Sequence, residues 1–287
     1  MKVAICGYSG LIGQAVTDMF GAHGHQVIAI TRRDLAQGVE YLRQMLSSTD
    51  VVINLAGAPI LTRWTKRGKK QIYDSRILTT HLLTETVNSM VLPPSVFISA
   101  SAVGIYNNLD VHDEFSLNYA DDFLSEVCQA WETEALKLKS DKSRLVILRF
   151  GVVLSCKGGA LKQMLLPFRL GLGGRIGSGK QAFPWVHIND VTAAIYWVTQ
   201  NTIAKGIYNL TAPGLVSNEV YTKALANTIS RPAFFPIPTW ALKMVFGEAS
   251  DVLVSGQHVV PQRLLADGFT FSFPLIQDAL GDLLKRR

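Results

Sequence analysis

Three glycines, Gly7, Gly10 and Gly13, recur at intervals of three in the stretch Gly7-Tyr8-Ser9-Gly10-Leu11-Ile12-Gly13. An apolar run at residues 2–6 leads into them. Apolar residues at helical spacing (Leu11, Ile12, Ala15, Val16, Met19, Phe20) follow, and Gly24 closes the pattern. A strand that turns this sharply into a helix is suited to holding phosphate. The first glycine permits the tight turn, the second lets the backbone approach a pyrophosphate, and the third lets the helix pack close to the sheet. The first N–H groups of the helix have no intrahelical acceptors and carry its positive end, so they face an anion. Gly7, Ser9, Gly10, Leu11, Ile12 and Gly13 are therefore expected to cradle a dinucleotide, since the glycines lie in the required strand–helix context.

The end of the next apolar strand, residues 27–30, decides which dinucleotide. An NAD site usually has an acid there, about 20 residues after the glycine motif, bonded to the ribose 2′-hydroxyl. This chain has Thr31-Arg32-Arg33. Two guanidiniums suit a 2′-phosphate, which they can grip with paired hydrogen bonds. NADP is expected, with NAD the less favoured alternative. Asp34 falls late for the acid's position and reads as a turn or cap residue.

A second concentration of chemistry lies downstream. Between Asp141 and Asp190 there is no acidic residue, while Lys142, Arg144, Arg149, Lys157, Lys162, Arg169, Arg175 and Lys180 are interspersed with glycines. One-sign charge on a flexible backbone favours an anionic small-molecule substrate, such as the diphosphate of a nucleotide sugar. The alternative is a solvated basic surface with charges pointing several ways. Arg149, Arg175 and Lys180 are the expected substrate contacts. Aromatic residues are not interleaved with these charges, so a nucleic-acid site is not expected.

The elements that must position these groups alternate. Strands are expected at residues 2–6, 27–30, 51–55, 96–100, 145–150 and 207–210, and helices at 11–23, 72–90, 122–138 and 191–199. That alternation predicts an α/β chain with a Rossmann-type, doubly wound parallel sheet. Residues 155–183 have weak periodicity, and a Pro-rich stretch (Pro232, Pro236, Pro238) precedes a final segment. The division expected is a nucleotide-binding domain over 1–212 and a smaller C-terminal substrate-binding lobe over 235–284. The 287 residues are 48% hydrophobic and 17% charged, with a net charge of +6. This balance fits a packed globular protein, and the mild charge alone supports neither nucleic-acid nor membrane binding. No apolar run approaches the ~20 residues of a membrane span, and the first residues lack a signal-peptide pattern. Three scattered cysteines form no C-x-x-C and fit a reducing cytoplasm. His23 and His25 lie together, but no acid or cysteine joins them at ligand spacing, so no metal site is expected.

Several motifs carry a family resemblance: the glycine loop, Val51-Val52-Ile53-Asn54-Leu55-Ala56-Gly57, Phe97-Ile98-Ser99-Ala100-Ser101-Ala102-Val103-Gly104-Ile105-Tyr106 and Leu148-Arg149-Phe150-Gly151. Pro184-Trp185-Val186-His187-Ile188-Asn189-Asp190 adds to them, as do Phe246-Gly247-Glu248, Pro261-Gln262-Arg263-Leu264 and Gly268-Phe269 in the tail. Together they resemble the extended and atypical short-chain dehydrogenases. Within these, the chain is similar to the NAD-dependent epimerase/dehydratase family and its nucleoside-diphosphate-sugar epimerase branch, which has a small C-terminal domain of its own. The resemblance implies that Leu55, Ala56 and Gly57 border the cofactor, with Ser99 on the neighbouring strand. Arg76 stands where the wider family often has an asparagine near the cofactor, and Ser101 where it has a catalytic serine. It also allows a homodimer paired through long helices.

One departure is sharp. The wider family uses Tyr-x-x-x-Lys as acid/base and ribose holder, yet no tyrosine here has a lysine four residues on; Leu124 and Cys128 occupy those places. A proton donor must come from elsewhere, or the protein binds a cofactor without turnover, as a sensor would. Tyr106 is the first candidate, with a packed aromatic as the alternative. Ser101 either polarises a carbonyl or is a serine bonded within the core. His187, in a segment that borders substrate in the family, either titrates against it or is structural. Cys128 reads as a small buried group in preference to a reactive thiol.

Overall fold

The computed structural model describes residues 1–139 and 141–284. In chain order the strands are β1 (Lys2–Cys6), β2 (Gln26–Ile30), β3 (Val51–Asn54), β4 (Val96–Ala102), β5 (Val111–His112), β6 (Arg144–Phe150), β7 (Val152–Leu154), β8 (Trp185–His187), β9 (Gly206–Leu210) and β10 (His258–Val259). The helices that flank them are α1 (Leu11–Ala22), α2 (Arg32–Ala36), α3 (Val39–Met45), α4 (Lys66–Ser89), α5 (Phe123–Leu136), α6 (Gly159–Arg169) and α7 (Ile188–Gln200). The chain continues through α8 (Asn218–Thr228), α9 (Thr239–Phe246), α10 (Asp251–Val254), α11 (Gln262–Ala266) and α12 (Ile276–Leu284).

Six strands form one sheet in the order β2-β1-β3-β4-β6-β9, parallel at every pairing. The expected Rossmann-type fold is borne out. Strand alternation sends Val3 and Ile5 of β1 to one face, where they pack with Val16 and Phe20 of α1 and Val191 and Ile195 of α7. Ala4 and Cys6 go to the other face, with Leu42 of α3 and Leu83 and Val87 of α4. Cover on both faces is why these strands read as unbroken apolar runs. Strand order reverses at β1, which has β2 on one side and β3 on the other. In such sheets the crevice at the carboxyl ends of the strands beside that switch point is where ligands bind.

The turn after β1 is set by contact distance. At Gly7, φ is +84°, and a Cβ would lie 2.7 Å from the Leu55 carbonyl carbon. A Cβ on Gly13 would lie 2.2 Å from the Gly7 oxygen. Only glycine lets α1 sit this close to the strand that feeds it.

A second core joins Leu154, Leu161, Leu165, Phe168 and Trp185 to Tyr221, Leu225, Ile276 and Leu280. The lobe expected from residue 235 onward thus shares its interior with residues 154–225, and Phe269 and Phe271 pack into the main core instead. Some elements had no sequence expectation. Helices α2 and α3 are short. Helix α6 runs through the weakly periodic stretch despite Pro167. Helix α4 starts at Lys66, six residues before the apolar pattern, because Thr65 caps it by accepting from the Gly68 N–H.

Gly13→Ala is expected to cost about 1–3 kcal/mol through overpacking. Gly21→Ala, in the same helix with nothing within 4 Å of its added methyl, should gain about 0.5–1 kcal/mol. Urea unfolding of both variants checks the pair.

Candidate functional site

A cleft of about 260 Å³ opens at the carboxyl end of the sheet, walled by the end of β3, β4, α4, α5 and the start of α1. Ile12, Leu55, Ile60, Leu124, Val127, Trp131, Phe150 and Val153 make it largely apolar, and Ala56, Gly57, Ala100, Ala102 and Gly151 complete its walls. Three polar side chains line it: Arg76, Ser101 and Cys128.

The glycine loop forms one rim. Gly10 precedes α1 in an extended conformation, no side chain caps the helix, and its first turn contains no acid. The leading N–H groups of α1 are therefore free for an anion. At the end of β2, Thr31 and Asp34 cap α2 reciprocally: the Asp34 carboxylate accepts from the Thr31 N–H at 2.7 Å and from its hydroxyl at 2.6 Å. Those bonds hold the Asp34 carboxyl below its usual range. Asp34 is thus a cap, and the Thr31 hydroxyl is spent with it. Arg32 and Arg33 are exposed, and among the described residues neither is in an ion pair.

Behind the cleft, Asn54 donates to Thr80 Oγ1 at 2.8 Å, and Trp131 Nε1 donates to the same oxygen at 2.8 Å. This chain pins β3, α4 and α5 together and fixes the Trp131 ring, over which the Arg76 guanidinium lies 5.2 Å from the centroid. Gly57 abuts that guanidinium: a Cβ there would be 2.9 Å from Cζ.

Ser101 reaches the cleft, but its hydroxyl is engaged. It donates to Glu132 Oε1 at 2.6 Å. Glu132 in turn receives Arg149 Nε and Nη2, each at 2.7 Å, with the two side chains 7% and 1% exposed. Arg149 Nη1 donates to Tyr106 Oη at 2.6 Å. The Tyr106 hydroxyl lies 2.9 Å from both Asn209 Oδ1 and the Asp113 carbonyl, and its ring stacks on His112 at 4.8 Å.

These contacts correct several expectations. Tyr106 is fully buried and absent from the cleft wall. Burial pushes its pKa up to about 12, so it is the packed aromatic and not an acid/base. Arg149 is a structural cation: burial opposes its charge, yet the Glu132 carboxylate keeps its pKa above the usual arginine range. It is not on the cleft wall. His187 is fully buried, caps α7 by accepting the Asn189 N–H at 3.0 Å, and stacks on Phe273 at 3.9 Å. Burial lowers its pKa, opposed by the nearby Asp282 carboxylate, and His187 is not on the cleft wall. Ser99 is sealed in the sheet and is not on the cleft wall. Arg175 and Lys180 are exposed on a loop outside the cleft lining. Arg175 donates to the Ser178 carbonyl, and this loop pairs with Ile237. Of the acid-free stretch, Arg149 is thus held in the core, while Arg175 and Lys180 are on an exposed loop. Cys128 is buried, and burial pushes its thiol up to about 12.

The expectations left in the cleft itself are Ile12, Leu55, Ala56, Gly57, Arg76 and Ser101. Glu132 was missed. Its signal was indirect: Arg149 lies inside an apolar strand, and a buried cation needs a carboxylate.

Residues 3–211 match the NAD-dependent epimerase/dehydratase family. The chain belongs to that family. Residues 237–283 match a domain of unknown function, DUF1731, so the resemblance read from both body and tail is borne out. The mouse epimerase family protein SDR39U1 is 39% identical over 293 residues, covering 99% of this chain and all of that one. The crystal structure of human SDR39U1 (isoform 2) with NADPH superposes with a TM-score of 0.94 at 36% identity, covering both chains fully. A nucleoside-diphosphate sugar epimerase from Corynebacterium glutamicum superposes with a TM-score of 0.79 at 30% identity, over 99% of this chain and 58% of that one.

Tyr106→Phe removes a hydrogen bond from a charged donor in the buried network. Stability should fall by about 1.5–3 kcal/mol in urea unfolding, while dinucleotide affinity stays within twofold. A large loss of affinity with unchanged stability would restore Tyr106 to the site.

Proposed function

We propose that this protein is an NADP(H)-dependent oxidoreductase or epimerase of the short-chain dehydrogenase type, acting on a small anionic substrate of nucleotide-sugar kind. The observation that carries the cofactor is the glycine turn opening onto an uncapped helix, with Arg32 and Arg33 exposed after β2 and in no ion pair among the described residues. The human relative named with NADPH supports the same reading. The cradle fits a dinucleotide physically: Gly7 and Gly13 let the turn and α1 pack against the backbone of Leu55 and of the loop itself, and Gly10, with no side chain, lets a pyrophosphate approach the free N–H groups at the start of α1. The Arg32 and Arg33 guanidiniums are free to take a 2′-phosphate, which NAD lacks.

A bound nicotinamide supplies a hydride donor or acceptor. The chain's own residues then have three tasks. The apolar wall of Leu55, Leu124, Val127 and Phe150 excludes water from the reacting end. Ser101 presents an oxygen whose proton is donated to Glu132, so it can accept from a substrate hydroxyl. Arg76 supplies the cleft's positive charge. The absence of a lining tyrosine or lysine supports a second reading: a protein that binds NADP(H) as a sensor and performs no turnover. The three unpaired cysteines suit a cytoplasmic setting.

Adding NADPH at about 100 times its Kd should stabilise the protein by about 2.7 kcal/mol, read as a rise in Tm. Replacing both Arg32 and Arg33 by alanine should weaken NADPH roughly tenfold to a hundredfold, as loss of charge-assisted bonds does, and leave NADH unchanged. No shift with NADPH in the unsubstituted protein would end both readings. NADPH oxidation with a panel of nucleotide-linked keto sugars, together with product analysis for an inverted stereocentre in nucleotide sugars incubated with NADP⁺, separates the enzyme from the sensor.

A further inference from the structure

The loop after α6 and the segment that leads into α9 run side by side. The Ile237 N–H donates to the Arg175 carbonyl at 2.8 Å, and the Gly177 N–H donates to the Ile237 carbonyl at 2.9 Å. A Cβ on Gly171 would lie 3.8 Å from Pro232 Cγ, and one on Gly177 would lie 2.9 Å from Thr239 Cγ2. These contacts set residues 170–177 against residues 232–239. Neither segment lines the cleft.

Large apolar side chains stand out from both segments. Leu170, Leu172, Phe234, Phe235, Trp240 and Met244 are each between 62% and 82% exposed. Trp240 and Met244 are one turn apart on α9, a helix that buries none of its residues. Scattered exposed apolar residues are ordinary, but a group of large ones on adjoining segments marks a surface that meets another apolar phase. The charge around them has one sign. Arg169, Arg175, Arg231 and Lys243 are exposed, and among the described residues none is in an ion pair. No acid occurs between Asp141 and Asp190 or between Glu219 and Glu248. Glu219, whose Cβ lies beside Gly179, is paired with Lys223 at 2.9 Å. Helix α6 repeats the pattern. Its Lys162, Leu165, Leu166 and Arg169 line a second cavity, of about 400 Å³, completed by Cys156 and by Leu283 and Leu284 of α12.

We propose that this face docks on the surface of a bilayer that contains anionic lipids. Phe234, Phe235, Trp240 and the loop leucines enter the boundary between headgroups and acyl chains, while Arg169, Arg231 and Lys243 meet the lipid phosphates. Charge decides the occupant. A second copy of this chain, meeting the face through the same residues, would set cations against cations. An acidic bilayer offers negative charge at its surface and hydrocarbon beneath, and it requires no matching shape around protruding rings. Aromatic rings at headgroup depth with basic side chains beside them are what holds a helix in a membrane interface. Helix α9 has 8 residues, so it is about 12 Å long. Among the described residues no helix is long and apolar enough to cross a membrane. The protein therefore rests on the bilayer and does not span it. This docking is independent of the cofactor reading, because the face and the cleft share no residue.

The test is co-sedimentation of the full chain with vesicles of phosphatidylcholine alone and with vesicles in which roughly a third of the lipid is phosphatidylserine. The parent should bind the acidic vesicles roughly tenfold or more tightly than the neutral ones, and high salt should remove most of that difference. The double variant Phe235→Ser/Trp240→Ser should lose roughly tenfold or more on acidic vesicles through the missing apolar contact. Arg231→Glu/Lys243→Glu should lose a similar factor on acidic vesicles and little on neutral ones. All four side chains are exposed, so both variants should melt within about 2 °C of the parent. If one pair fails to fold, the other carries the test. The proposal is overturned if the parent does not sediment with acidic vesicles, if it binds both compositions equally, or if a folded double variant binds as the parent does. Sedimentation velocity without lipid reads the other occupant. A parent that self-associates, a Phe235→Ser/Trp240→Ser variant that stays monomeric, and no vesicle binding by either would assign the face to protein and also overturn the proposal.

Discussion

The Glu132–Arg149 pair is the interaction around which the rest of this site is arranged. Its two bonds of 2.7 Å join α5 to β6 inside the core. From it the bonding runs outward to Ser101 on β4, to Tyr106 beyond β4 and to Asn209 on β9. Breaking such a pair from one side leaves a buried charge, at a cost of about 3–5 kcal/mol. The network therefore holds three neighbouring strands and one helix in a single register. It also determines what the site can do. Ser101 faces the cleft with its proton committed to Glu132, and Tyr106 is drawn inward and away from it.

The cleft is left with little polarity. Its walls are aliphatic and aromatic, its thiol is neutral, its serine is engaged, and among the described residues its one charge is the Arg76 guanidinium. Orientation and electrostatics, with proton transfer by a free side chain absent from the lining, describe what these residues offer a ligand. A cation held in place between apolar walls is worth more to a negative charge that displaces the water there than the same cation in bulk water.

Much of this was legible in the sequence where the determinants are local. The strand, the glycine turn and the start of α1 are written within the first thirteen residues, and the contacts of Gly7 and Gly13 show why both of these glycines are needed. The absent acid after β2 was equally local, and Asp34 proved to be the cap that its place suggested. Non-local pairing was not legible. Glu132 and Arg149 are 17 residues apart, and only the packing of α5 on β6 brings them together, so Arg149 and Tyr106 looked available for chemistry. His187 misled for the same reason: its partners are the next turn of its own helix and Phe273, far along the chain. Helix α6 escaped because Pro167 and a run of glycines obscure its period.

A crystal structure with NADPH bound tests the central claim most directly. The pyrophosphate should lie on the N-terminus of α1, with the 2′-phosphate about 2.7–3.2 Å from guanidinium nitrogens of Arg32 or Arg33. A dinucleotide bound away from the glycine turn, or bound there with its 2′-phosphate turned from both arginines, would contradict the account.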